Sequence, residues 1–129
     1  MPAAAKLQLV VVDDQLTMRT LVRSSLQQIG VVNSRDFSTA SEAWTNIQSN
    51  PAHVIISDFN MPGMDGLEFL RTLRSNPAMK NTAFILLTGR ADKELVANAI
   101  KLGANNYLVK PFTVAVLKQK IEQVVGPLC

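Results

Sequence analysis

The sequence is poor in cysteine, histidine, aromatic residues and long apolar runs, and each shortage removes a class of protein. Its one cysteine, Cys129, is the last residue. A single thiol closes no internal disulfide, so the stapled scaffold of a small secreted domain is excluded, and a terminal thiol is expected to be exposed and incidental. The longest apolar stretches, such as Leu9 to Val12 and Phe84 to Leu87, fall far short of the roughly 20 residues that span a bilayer as a helix. The N-terminus, Met-Pro-Ala-Ala-Ala-Lys, has no basic stretch leading into an apolar core and does not read as a signal peptide. A soluble, cytoplasmic protein is therefore expected. Lysine and arginine outnumber aspartate and glutamate by 13 to 10, with a sequence pI near 9.3. The basic residues are scattered, however, and no aromatic-interleaved cluster marks a nucleic-acid face. The lone histidine, His53, precedes an apolar run instead of following one.

What is present has a globular balance, 47% hydrophobic and 18% charged over 129 residues, which fits one domain spanning 1–129 with its core from about 7 to 125. Two kinds of segment alternate. Leu7 to Val12 is an almost continuous apolar run rich in valine, suited to a strand buried on both faces. Met18, Leu21, Val22, Leu26 and Ile29 then repeat at helical spacing, with Gly30 placed to cap the helix. Asn33 to Phe37 reads as a more polar strand near a sheet edge. Thr39-Ala40-Ser41-Glu42 has the capping-box pattern, and Ala40, Ala43, Trp44 and Ile47 fall on one helical face. A strand from Val54 to Ser57 meets Asp58, and a turn-rich loop, Phe59 to Gly66, leads to a helix expected to carry Leu67, Leu70 and Leu73 inward. Phe84 to Leu87 is a further strand, followed by a helix from about Asp92 to Leu102. A short strand, Tyr107 to Val109, and a last helix, about Thr113 to Val125, complete five strand–helix units. Such alternation predicts a parallel sheet with helices on both faces and right-handed crossovers.

In an open parallel sheet, ligands bind beyond the carboxyl ends of the strands, so the residues at those ends carry the chemistry. Strand one delivers Asp13 and Asp14, strand three Asp58, strand four Thr88 and strand five Lys110. Each alone is unremarkable: an Asp-Asp pair after a strand commonly caps a helix. Their coincidence on one rim is specific. Three carboxylates brought together repel one another unless a cation compensates, and a hard divalent ion such as Mg²⁺ suits oxygen ligands. With an ammonium and a hydroxyl added, the set can stabilise the three oxygens of a phosphoryl group. Met61 and Met64 beside the site read as packing residues, since a thioether is a poor partner for Mg²⁺.

Four segments carry a resemblance: Val11-Val12-Asp13-Asp14, Ser57-Asp58-Phe59-Asn60-Met61-Pro62-Gly63-Met64-Asp65-Gly66, Leu87-Thr88-Gly89 and Lys110-Pro111-Phe112. Together they resemble response-regulator receiver domains over about Leu7 to Val125, with almost no insertion. Asp13-Asp14 followed by Thr17-Met18-Arg19, and the run Lys110 to Thr113, are most similar to the single-domain chemotaxis regulators within that family. The resemblance implies a doubly wound, flavodoxin-like fold with strand order 2-1-3-4-5 and five helices. It implies Asp58 as phosphoacceptor, Thr88 and Lys110 as phosphoryl-binding groups, and Mg²⁺ held by Asp13, Asp14, Asp58 and the backbone carbonyl of Asn60. Tyr107 matches a switch aromatic that moves together with Thr88, and the peptide before Pro111 matches a position that is usually cis.

The implied partners are a sensor histidine kinase of the chemotaxis type and, further on, a flagellar motor switch protein and a phosphatase; a phosphate sink is the other output considered. A monomer is expected, with no membrane insertion. DNA binding is not expected, since no helix-turn-helix follows the receiver segment. The chain is read as a phosphoacceptor taking part in its own phosphotransfer and autodephosphorylation, not as a turnover enzyme. A small aspartyl-phosphate hydrolase would need an acid/base carboxylate two residues after the nucleophile, where this sequence has Asn60. Arg90, two residues after Thr88, is a candidate for tuning access to the site.

Overall fold

The structure, a computed structural model, describes residues 3–89 and 93–128. Arg90, the expected helix start at Asp92, and Cys129 lie outside the described residues. After a 3₁₀ turn (Ala4–Lys6), the elements run β1 (Gln8–Val12), α1 (Leu16–Ile29), β2 (Asn33–Phe37), α2 (Ala40–Ser49), β3 (Val54–Asp58), α3 (Gly66–Ser75), β4 (Ala83–Thr88), α4 (Lys93–Lys101), β5 (Asn106–Val109) and α5 (Val114–Val125). The five strands form one parallel sheet in the order β2-β1-β3-β4-β5. The polar strand, β2, is an edge, as its composition predicts. No helix among the described residues is long and apolar enough to cross a membrane.

Alternation along the strands divides the core in two. Val10, Val12, Ile55, Phe84 and Leu86 face a layer of α2, α3 and α4, packing on Ile47, Phe69, Leu70, Leu73 and Ala99. Leu9, Val11, Val54, Ile56, Ile85, Leu87 and Leu108 face α1 and α5, packing on Val22, Leu26, Leu117 and Ile121. Burial on both faces explains why β1, β3 and β4 read as unbroken apolar runs. Each such Val, Leu or Ile contributes about 1.5–3 kcal/mol by leaving water. Phe69 and Phe84 add an edge-to-face contact with ring centroids 6.1 Å apart.

Helix ends follow local chemistry. Thr39, Asp65 and Thr113 each accept a backbone N–H three residues on, at α2, α3 and α5. Of the expected capping box, the Thr39 half forms, accepting the Glu42 N–H at 3.2 Å, while the Glu42 carboxylate accepts the hydroxyls of Ser38 and Thr39. Gly30 ends α1 in the left-handed region, and Val31 donates back to the Leu26 carbonyl.

Two helical faces differ from the sequence expectation. Leu21 is 47% exposed, and the inner arc of α1 is formed by Val22, Leu26 and the polar Ser25. Ser25 is tolerated inside because its hydroxyl donates to the Leu21 carbonyl at 2.9 Å. In α3, Leu70 and Leu73 are buried as expected, but Leu67 is half-buried because the first turn of the helix lies at the rim of the sheet, and Phe69 is the third core residue. At the opposite end of the sheet, the Arg74 guanidinium binds the carbonyls of Thr82 and Gly103 and the side chain of Asn105. Burial there draws its pKa below the ordinary arginine value. His53 lies at this same far end, exposed, accepting the Gln8 N–H on Nδ1 at 2.9 Å.

One glycine fixes how closely α3 approaches β3. A Cβ on Gly66 would stand 2.5 Å from the Asp58 carbonyl oxygen and 3.0 Å from the Phe59 Cα, both backbone atoms. Gly66 also donates its N–H to the Phe59 carbonyl at 3.0 Å. Backbone cannot yield as a flexible side chain can. Gly66→Ala is therefore expected to destabilise the protein by about 1–3 kcal/mol, the usual range for overpacking, read as a lowered urea midpoint. An unchanged midpoint would show that the contact is slack.

Candidate functional site

The functional side chains stand at the upper rim because the parallel ladders run slightly past the strands. Asp13, just after β1, donates its N–H to the Phe37 carbonyl at the end of β2. Phe59, just after Asp58, donates to the Leu87 carbonyl of β4. Lys110, just after β5, donates to the Thr88 carbonyl at 2.8 Å. Backbone hydrogen bonds across strand ends thus hold Asp13, Asp58, Thr88 and Lys110 in register. Asp13 and Asp58 follow the adjacent strands β1 and β3, whose next helices, α1 and α3, pack on opposite faces of the sheet, the place where ligands bind in such folds.

One carboxylate oxygen from each of Asp13, Asp14 and Asp58 lies within 4.8 Å of the others. The Lys110 ammonium enters this cluster, 3.2 Å from Asp58 Oδ1 and 3.4 Å from Asp13 Oδ2. Three carboxylates and one ammonium leave two negative charges uncompensated. Asp58 is 6% exposed, and its pKa is raised, first by burial and then by the neighbouring Asp13 charge. Lys110 and the Phe59 N–H pull the other way, but burial and repulsion win.

The three aspartates differ in how they are held. Asp13 has no exposed surface, and every polar atom has a partner. Besides its N–H and Lys110, Oδ1 accepts the Gln15 N–H at 2.9 Å, and its carbonyl accepts from Arg19 Nη1 at 2.7 Å. Asp14 is exposed, and among the described residues nothing bonds its carboxylate. Asn60 lies two residues beyond Asp58 in an exposed stretch of loop. Thr88 is buried at the end of β4. Tyr107 is half-buried, with the Lys120 ammonium 4.3 Å from its ring centre. The Lys110–Pro111 peptide is cis. Met61 is buried and Met64 packs against the same core, so both serve packing, as their chemistry predicts. Gly89 has open space where a Cβ would sit, so packing does not require glycine there.

The donor set fits a hard divalent cation. It offers carboxylate oxygens alone, without imidazole or thiolate, and its uncompensated charge equals that of such an ion. The family described as response regulator receiver domain matches residues 9–122. The chain belongs to this receiver family. It is 44% identical to the probable chemotaxis protein CheY of Rhizobium etli over 99% of both chains. It is 40% identical to chemotaxis protein CheY1 of Helicobacter pylori over 93% of this chain and 98% of that one. Among solved structures it resembles chemotaxis response regulator CheY4 of Vibrio cholerae, with a TM-score of 0.85 at 32% identity over 92% of this chain and 98% of that one. The receiver fold expected from the four segments is the observed one.

Sequence reasoning left several contributors unassigned. Arg19, which in the sequence carries only part of the family resemblance, reaches both the Asp13 carbonyl and Asp36. The close approach of Gly66 to Asp58 and the carbonyl anchors at Phe37 and Leu87 depend on the register of neighbouring strands, which no local pattern encodes.

The raised pKa of Asp58 predicts a pH dependence. The folded state binds the Asp58 proton more tightly than the unfolded chain, so ionisation costs stability as pH rises from the ordinary carboxylate range through the raised value. In EDTA, Asp58→Asn is expected to be more stable than the unsubstituted protein at neutral pH, with the gap closing as pH falls below about 4, near the unperturbed aspartate pKa. Urea midpoints across that range check this; a gap that stays constant with pH would contradict the burial and repulsion assigned to Asp58.

Proposed function

We propose that this receiver takes a phosphoryl group on Asp58 from the phosphohistidine of a sensor kinase and thereby changes its partner binding in chemotaxis signalling. The observation that carries this reading is the buried Asp58 carboxylate, 3.2 Å from the Lys110 ammonium and flanked by Asp13 and Asp14. In the transfer, an Asp58 oxygen forms the new P–O bond, the P–N bond of the phosphohistidine breaks, and the imidazole leaves. Lys110 neutralises charge on the acceptor and then pairs with the added phosphoryl oxygens, while the Thr88 hydroxyl donates to one of them. Asp13, Asp14, Asp58 and the Asn60 carbonyl are the ligands for Mg²⁺, which when bound supplies charge neutralisation between carboxylates and phosphoryl oxygens. Asp14 is the group best placed to meet the cation directly, since it is exposed and unengaged among the described residues. Asp13, whose two oxygens already accept from Gln15 and Lys110, contributes chiefly charge.

Output is assigned to the surface of α4, β5 and α5. It carries the exposed apolar residues Ile100 of α4 and Val116 of α5, and the Lys120 ammonium over the Tyr107 ring. Rearrangement of Thr88 and Tyr107 on phosphorylation would shift this surface between two states, and a motor switch protein of the flagellum is the proposed partner there, with the kinase and a phosphatase acting at the rim. We take the domain to act as a single cytoplasmic monomer. Against a pure phosphate sink, phosphorylation should increase retention of the chain on immobilised motor switch protein; equal retention with and without phosphorylation favours the sink.

The direct test is incubation with acetyl phosphate and Mg²⁺, read by intact mass. One phosphoryl adduct is expected, lost in Asp58→Asn and absent when EDTA replaces the cation. Undiminished stable labelling of Asp58→Asn would refute the assignment.

A further inference from the structure

The Asp13–Asp14 peptide is held from one side by a residue that the proposed chemistry does not use. Arg19, on the first turn of α1, donates from Nη1 to the Asp13 carbonyl at 2.7 Å and from Nε to Asp36 Oδ2 at 2.8 Å. Its side chain is 14% exposed, so both bonds are made largely away from water. Asp36 also accepts from Arg23 at 3.0 Å, and Arg23 in turn reaches the Ser34 hydroxyl and carbonyl. Asp36 is held in β2 by its backbone pairing beside Val11, and its Oδ2, the oxygen that Arg23 does not use, aims the fork of Arg19.

That carbonyl belongs to the peptide unit immediately before Asp14. Fixing its oxygen fixes the plane of the peptide, and the plane sets the direction in which Asp14 leaves the backbone. Asp14 needs such outside control because nothing among the described residues bonds its carboxylate. Asp13 needs it less, with its N–H and both carboxylate oxygens already engaged.

We infer that Arg19, braced by Asp36, is a positioning residue that orients the Asp13–Asp14 peptide and so preorganises the acidic cluster for its divalent cation. The inference rests on the reading of Asp13, Asp14 and Asp58 as ligands. Its sign sets it apart from simple electrostatics. Removing a positive charge beside an acidic cluster strengthens cation binding if charge alone acts, and weakens it if Arg19 acts through geometry.

Arg23 is the natural control, since it carries the same charge and shares Asp36, but among the described residues its hydrogen bonds go to Ser34 and Asp36 and not to Asp13. Calorimetric titration with Mg²⁺ alone, without any phosphoryl donor, is the test. Arg19→Gln is expected to bind Mg²⁺ about five-fold or more weakly, the weight of one well-made hydrogen bond, while Arg23→Gln binds as tightly as the unsubstituted protein or more so. If Arg19→Gln fails to fold by circular dichroism, the comparison is made between Arg19→Lys and Arg23→Lys, which keep the charge; the expectation is the same ordering. Equal or tighter binding by the Arg19 variant, or equal weakening by both variants, would overturn the inference and leave the ligand reading intact. No Mg²⁺ binding by the unsubstituted protein would overturn the ligand reading and the inference with it.

Discussion

Three carboxylates forced to within 4.8 Å of one another are the constraint around which the upper end of this protein is organised. A unit charge pair at about 4 Å is worth roughly 4 kcal/mol at the effective dielectric of a protein surface. Lys110, 3.2 Å from Asp58 and 3.4 Å from Asp13, offsets part of the repulsion among the three. Burial first, and the Asp13 charge second, raise the pKa of Asp58. The fold tolerates it because β1, β3 and β4 are buried on both faces and rigidly registered.

The same constraint explains the division of labour among the acids. Asp13 is buried and fully bonded, so it acts as a fixed charge. Asp58 is buried, with its Oδ1 3.2 Å from the Lys110 ammonium and its carboxyl also facing the Phe59 N–H. Asp14 faces solvent. Burial and hydrogen bonding give three chemically identical side chains three distinct environments.

Much of this could be read from the amino-acid order. Valine-rich runs ending in polar residues predicted a parallel sheet and the rim where Asp13, Asp58, Thr88 and Lys110 gather, because strand ends are local features. The edge position of β2 followed from its polar composition. Legibility failed where the answer lay in how separate elements meet. Leu21 is outward and Ser25 inward, the serine satisfied by a side chain-to-backbone hydrogen bond. The need for glycine at position 66 came from the backbone of β3 passing 2.5 Å from where a Cβ would sit. Arg19 and Asp36 meet across the gap between α1 and β2. Individual roles at the site came from family resemblance, to which the geometry adds distances and burial.

The central claim is that the acidic cluster is a divalent cation site. Crystals of the protein soaked in Mn²⁺ and measured at its absorption edge test this most directly. The account predicts one strong anomalous peak within coordination distance of oxygens from Asp14 and Asp58, beside Asp13. A peak elsewhere on the molecule, with none at this cluster, would contradict it.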